Sequence, residues 1–269
     1  MQRLFSLVMA MVLCCVAATA WAASGQTQGA LDEAVKRGTL RVGISSFVPW
    51  AMQDKTGKYV GFEVDVATRL AKDLGLEVEL VPTRWSGIIP ALLTGKFDVI
   101  ICSLSVTPER ALKVNFSIPY DYAGIEAVAH RKAAAGKTKL EDFNTPETVV
   151  ALRTGSTPVA VAKRVLPKAT LRLFDEEAAA VQEVLSGRAQ IFFTSAPLGT
   201  LEALRAPDTL SVVTKELLSP QPVAMAVRKG DFNTVNVLDS WIRLVDAEGW
   251  LDARRDYWFK GRDWEKAMQ

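Results

Sequence analysis

The residues best equipped for chemistry sit in two short turns of matching pattern. The first, CSLSVTPER at 102–110, carries Cys102, Ser103, Ser105 and Thr107 and ends in Arg110; the second, RTGSTP at 153–158, carries Arg153, Ser156 and Thr157. In both, a hydroxyl residue followed by proline marks a helix start, since Ser and Thr cap well and Pro is preformed for the first helical position. The free amides there carry partial positive charge, so Arg110 is poorly placed for helix stability. It is well placed to share an anion with those amides, because a guanidinium grips a carboxylate through two parallel hydrogen bonds. Face to face, the two turns would cage a carboxylate between helix starts and hydroxyls.

Such turns need strands behind them. TLRVGI (39–44) is β-rich; FEVDVATRLAKDLG (62–75) repeats apolar residues at helical spacing and stops at Gly75; LEVELV (76–81) alternates as a strand; SGIIPALLTG (86–95) reads as a helix; FDVIIC (97–102) is a buried-type strand leading into the first turn. The alternation restarts with ETVVALR (147–153), GSTPVAVAKRVL (155–166), ATLRLF (169–174), DEEAAAVQEVLSG (175–187) and AQIFFT (189–194). Alternating strands and helices predict two α/β units, each a doubly wound sheet. GIEAVAHRK (124–132) and QPVAMAVRKG (221–230) are β-like connections between them. The helical tail at 232–259, with Val235, Leu238, Ile242 and Val245 on one stripe, is expected to pack back on the first unit. Two chain crossings give a hinge, and ligands of open α/β sheets sit beyond the strands' carboxyl ends.

The N-terminus reads as a secretory leader over 1–22: an early Arg3, an apolar run too short to span a bilayer, then Ala20-Trp21-Ala22 as a cleavage site. Cys14 and Cys15 leave with it, so Cys102 remains alone and no intrachain disulfide can form. Loss of Arg3 takes the formal charge from +2 to +1. With no basic runs, nucleic acid and anionic membrane surfaces are poor partners. The single histidine, His130, falls in a connecting strand, so neither a His-based metal cluster nor a Ser-His-Asp triad is expected, and neither G-x-S-x-G nor a P-loop occurs. No cofactor and no metal are expected.

YVGFEVDVATRLAKDLG, WSGIIPALLTGKFDVIICSLSVTPERALKVNFSIPY and TGST together resemble the periplasmic solute-binding proteins of amino-acid ABC importers, over about residues 30 to 260. The resemblance implies the two-lobed type II binding fold, with lobe 1 discontinuous over 23–127 and 225–269, lobe 2 over 128–224, and hinge strands near 124–132 and 221–228. It also implies a secreted, periplasmic monomer that closes on a small carboxylate and docks on a membrane ABC permease. By matching position, Arg110 resembles the family arginine for the ligand α-carboxylate. Ser103 and Ser105 resemble its polar partners, Ser156 and Thr157 the helix-end groups of lobe 2, and Phe47 and Trp85 the aromatic walls. Trp50 is a further wall candidate, and Cys102 stands where a small polar residue is usual.

One departure bears on the ligand. Where the family usually has an aspartate for the ligand ammonium, IFFTSAPLG places Ser195. Either another acid, Asp175 or Glu176, takes that role or the ligand has no α-amino group. Arg84 and Arg153 beside the site segments favour an acidic ligand. The chain also resembles periplasmic cyclohexadienyl dehydratases, whose second lobe carries T-D-x-x-E; here TSAPL puts Ser195 and Leu198 in place of both acids, which favours a binder over an enzyme needing a general acid. A third reading is a sensor that presents the same bound ligand to a receptor.

Overall fold

A computed structural model describes residues 29–268 except Ala135; the leader expected at 1–22 lies outside the described residues. Within them, α1 (Ala30–Arg37) leads into β1 (Thr39–Ile44), the short hairpin β2 (Met52–Gln53) and β3 (Tyr59–Val60), α2 (Phe62–Asp73) and β4 (Glu77–Pro82). A single 3-10 turn (Trp85–Gly87) then precedes α3 (Ile88–Leu93), β5 (Val99–Ile100) and the one-turn α4 (Pro108–Ala111). The long β6 (Val114–His130) follows, then β7 (Val149–Arg153), α5 (Thr157–Val165), β8 (Thr170–Phe174), α6 (Glu177–Leu185) and β9 (Ile191–Ser195). After these come α7 (Leu198–Arg205), β10 (Leu210–Val212), β11 (Leu218–Arg228), α8 (Phe232–Ala247) and α9 (Trp250–Arg255), followed by a π turn (Asp256–Lys260) and a 3-10 turn (Asp263–Ala267).

The strands run β4-β1-β5-β11-β6-β9-β7-β8 in one hydrogen-bonded path, with β10 added on β6. Two separate sheets were the expectation; the path is continuous because β6 serves both halves. Its residues up to Ala123 pair antiparallel with β11, and those from Ile125 to Ala129 pair with β9. The chain therefore passes between the halves at about Ala123–Ile125 on β6 and Leu218–Gln221 on β11, where the β11 register is irregular.

Alternation along the strands builds a core on each face of each half. Val99 and Ile101 join one cluster with α1, α2 and α8, whereas Ile100 and Cys102 join another with α3. In the second half Val150, Leu152, Ile191 and Phe193 face one way with α5, and Ala151 and Phe192 face the other with α6. Helices thus cover both faces of each parallel set, which aligns the strand ends, and the helix starts after them, along one gap. The tail helix α8 packs on the first half through Leu238, Trp241, Ile242 and Val245. Its Asp231 cap accepts from Thr234 N and also from Ala30 N at 2.7 Å, tying the C-terminal helix to α1. No helix among the described residues is long and apolar enough to cross a membrane.

Candidate functional site

The rim of the first half is built from below by one buried carboxylate. Ser103 sits at φ 54°, a left-handed conformation that a serine adopts only when something holds it. The holder is Glu63, from the first turn of α2: its Oε1 accepts from Ser103 N at 2.8 Å and its Oε2 from the Tyr120 hydroxyl at 2.5 Å. Glu63 is fully buried, and burial pushes its carboxyl up to about 8 against the pull of those two donors. The next residues are stitched to β11, with Val106 N donating to Pro222 O and Ser105 bridging Val223. Thr107 caps α4, accepting from Arg110 N at 3.2 Å. Because α4 is a single turn, its aligned dipoles are few, and the guanidinium supplies most of the positive potential here.

Arg110 points into the gap. Its Nη1 donates to Ser105 O at 2.8 Å and its Nη2 crosses to the second half, donating to Gly155 O at 3.1 Å. Burial and the neighbouring Arg153 push its pKa down from the usual arginine value. Gly155, at φ 70°, makes the tight turn that ends β7, and the Ser156 hydroxyl is spent on Arg153 O at 2.7 Å. Thr157 opens α5 and presents the helix start to the gap.

At the centre, Arg153 occupies a slot between two rings of the first half, its Cζ 4.7 Å from the Phe47 centroid and 4.4 Å from that of Trp85. Its Nε lies 3.2 Å from Glu177 Oε2. Both residues are buried, and neither Arg153 Nε nor Glu177 Oε1 has a hydrogen bond of normal geometry. Burial pushes the Glu177 carboxyl up, while Arg153 and the Thr194 hydroxyl alongside pull it back. The cavity left among Phe47, Trp85, Ser103, Ser105, Thr157 and Ser195 amounts to about 10 Å³, scarcely the room of one water. That volume is too small for a guest of amino-acid size. A larger groove of about 360 Å³ adjoins it, lined by Phe47, Met52, Gln53, Glu176, Val181 and Leu198.

Eight of the expected site residues therefore converge: Phe47, Trp85, Ser103, Ser105, Ser156, Thr157 and Ser195 line the cavity, and Arg110 spans its edge. Two stand elsewhere. Trp50 is 1% exposed and stacks behind Phe47, centroids 4.5 Å apart and planes at 10°, because the Phe47–Ala51 turn folds its ring into the core. Cys102 points into the α3 cluster, on the opposite strand face from Ile101, and burial pushes its thiol up. Of the other residues singled out, Arg84 is exposed, as are Asp175 and Glu176. The acid that reaches the cavity is Glu177, which shares the buried face of α6 with Ala180, Val181 and Val184. That i, i+3, i+4, i+7 spacing was the available signal, and for Arg153 it was a cation ending an otherwise apolar strand.

Comparison with known proteins agrees with this architecture. The chain is 30% identical over 233 residues to the L-cystine-binding protein TcyJ of Escherichia coli strain K12, covering 86% of each chain. It is 26% identical over 251 residues, 93% of each chain, to the cyclohexadienyl dehydratase of Pseudomonas aeruginosa. Among solved structures, an ancestral amino acid-binding protein described as a precursor of cyclohexadienyl dehydratase superposes with a TM-score of 0.80 at 43% identity, over 85% of this chain and 99% of that one. Residues 40–261 match the bacterial extracellular solute-binding proteins, family 3, and the chain belongs to that family.

Proposed function

We propose that this protein captures a small carboxylate, an amino acid or related organic acid, in the periplasm by closure of two lobes, and delivers it to an ABC import permease. The observation that carries the reading is Arg110 of one half reaching Gly155 of the other across the gap, so that a single guanidinium and two turns meet at one point. A carboxylate placed there replaces the two carbonyl acceptors as a bidentate partner. Closure is then a population shift, because only the closed arrangement offers groups of both halves to the same anion. The crossing strands β6 and β11 are the hinge in this reading. A micromolar affinity, about −8 kcal/mol, is within reach of one charge-assisted clamp with aromatic burial.

Binding rather than dehydration is supported at the positions where the resemblance calls for two acids: Ser195 is a neutral hydroxyl and Leu198 is packed in the apolar core. The test is calorimetric titration with a panel of amino and organic acids, wild type against Arg110→Ala. Wild type binds at least one, and the variant loses about 100-fold or more while keeping its circular dichroism spectrum. Retained affinity in Arg110→Ala removes that residue from the site.

A further inference from the structure

The central cavity holds more charge than one carboxylate needs. Arg110 and Arg153 both lie over the Trp85 ring, at 5.2 Å and 4.4 Å from its centroid, and among the described residues Arg153 has Glu177 as its one ionic partner. That contact is poorly directed: Arg153 Nε makes no hydrogen bond although the residue is only 5% exposed, and Glu177 Oε1, also buried, has none either. Glu63 sits behind Ser103 with its oxygens already taken by Ser103 N and Tyr120. Two cations thus face the cavity against one carboxylate, leaving an excess of one positive charge in a closed space, where imbalance is costly.

We propose that the guest is an acidic α-amino acid, its α-carboxylate held by Arg110, its ammonium by Glu177 and its side-chain carboxylate by Arg153. This rests on the carboxylate-capture reading and narrows it. Arg153 and Glu177 hold each other only until a guest offers each a better partner, and the net single negative charge of such a guest cancels the cavity's excess. Glu177 thereby supplies the acid that Ser195 does not. Other guests fit less well. A cationic amino acid meets Arg153 already in the aromatic slot, and its side chain adds a like charge. A neutral amino acid gives Arg153 no new partner, and a diacid without an amine brings negative charge against Glu177.

The test is calorimetric titration of the purified protein with L-glutamate, L-aspartate, L-glutamine, 2-oxoglutarate and L-lysine, repeated on Arg153→Gln and Glu177→Gln. Wild type is expected to bind glutamate or aspartate about tenfold or more tightly than the other three. Arg153→Gln should erase the preference of acid over amide, and Glu177→Gln the preference of glutamate over 2-oxoglutarate. Glutamine or lysine bound by wild type as tightly as the acids overturns this assignment, and the wild-type panel decides it even if a variant fails to fold. In that event carboxylate capture still stands, provided Arg110→Ala abolishes the binding; if none of these acids binds and no other carboxylate does, both readings fall.

Discussion

The turn after β5 and the turn after β7 are written in the same local grammar, hydroxyl then proline at a helix start, yet they hold their arginines differently. In the first, Thr107 caps the helix through Arg110 N, and Arg110 lies inside the helical turn with its guanidinium reaching Gly155 O across the gap. In the second, the Ser156 hydroxyl makes no cap bond and donates backwards to Arg153 O, while Arg153 ends the strand and inserts between rings of the opposite half. The first rim is also underpinned by a buried acid, Glu63, whereas the acid of the second, Glu177, faces the cavity itself. One rim is therefore held from below and the other turns its charges to the cavity. Similar motifs thus place a buried structural acid behind one rim and a buried ion pair at the cavity on the other.

The largest effect that can break this contrast lies at Glu63. Its carboxyl is raised from 4.5 to about 8, so between those values the folded state holds a proton that the unfolded chain has lost. Stability contributed by this group is fully present below pH 4.5 and falls as pH rises to about 8, by at most about 5 kcal/mol. Asp121, raised mainly by burial to about 6 with Arg255 opposing, adds loss in the same direction between 3.8 and 6. Denaturant unfolding at pH 5 and pH 8 should show a smaller decline in Glu63→Gln than in wild type; an equal decline would detach Glu63 from the support of the first rim.

Trp50→Ala comes next, at about 3–5 kcal/mol of stability, because the ring is a buried support behind Phe47. Unchanged stability with lost affinity would return Trp50 to the cavity wall. The two helix starts differ in the same way: Thr107→Ala should cost about 1 kcal/mol as a lost cap, and Ser156→Ala less, since its hydroxyl satisfies no helix amide. Least affected is Cys102→Ala, with unchanged ligand affinity and, in wild type, a thiol that resists modification while the protein is folded; rapid labelling at pH 8 would contradict its place in the α3 cluster.

Much of the fold was legible because strand and helix periodicities rarely conflict here: TLRVGI is β1 residue for residue, and the α2 repeat ends where Gly75 takes φ 69°. The full length of β6 was not, since Pro119 and Asp121 argue against a central strand. The strand tolerates them because its register with β11 is broken there, and Arg255 pairs with Asp121 at 3.0 Å. The hydroxyls and arginine of the first turn could be read from their order alone. Trp50 could not be separated from Phe47, as nothing local says which ring the 47–51 turn folds inward. Arg153 and Glu177 find each other only through the tertiary fold, 24 residues apart in the chain and on different elements.

Whether one guanidinium and two turns from opposite halves converge on the same anion is read off a crystal structure of the protein with a bound carboxylate from the titration panel. The carboxylate is expected within hydrogen-bonding distance of Arg110 and of the Thr157 helix start together. A carboxylate seated instead in the 360 Å³ groove beside Met52 and Val181, with Arg110 still bonded to Ser105 and Gly155, would contradict it.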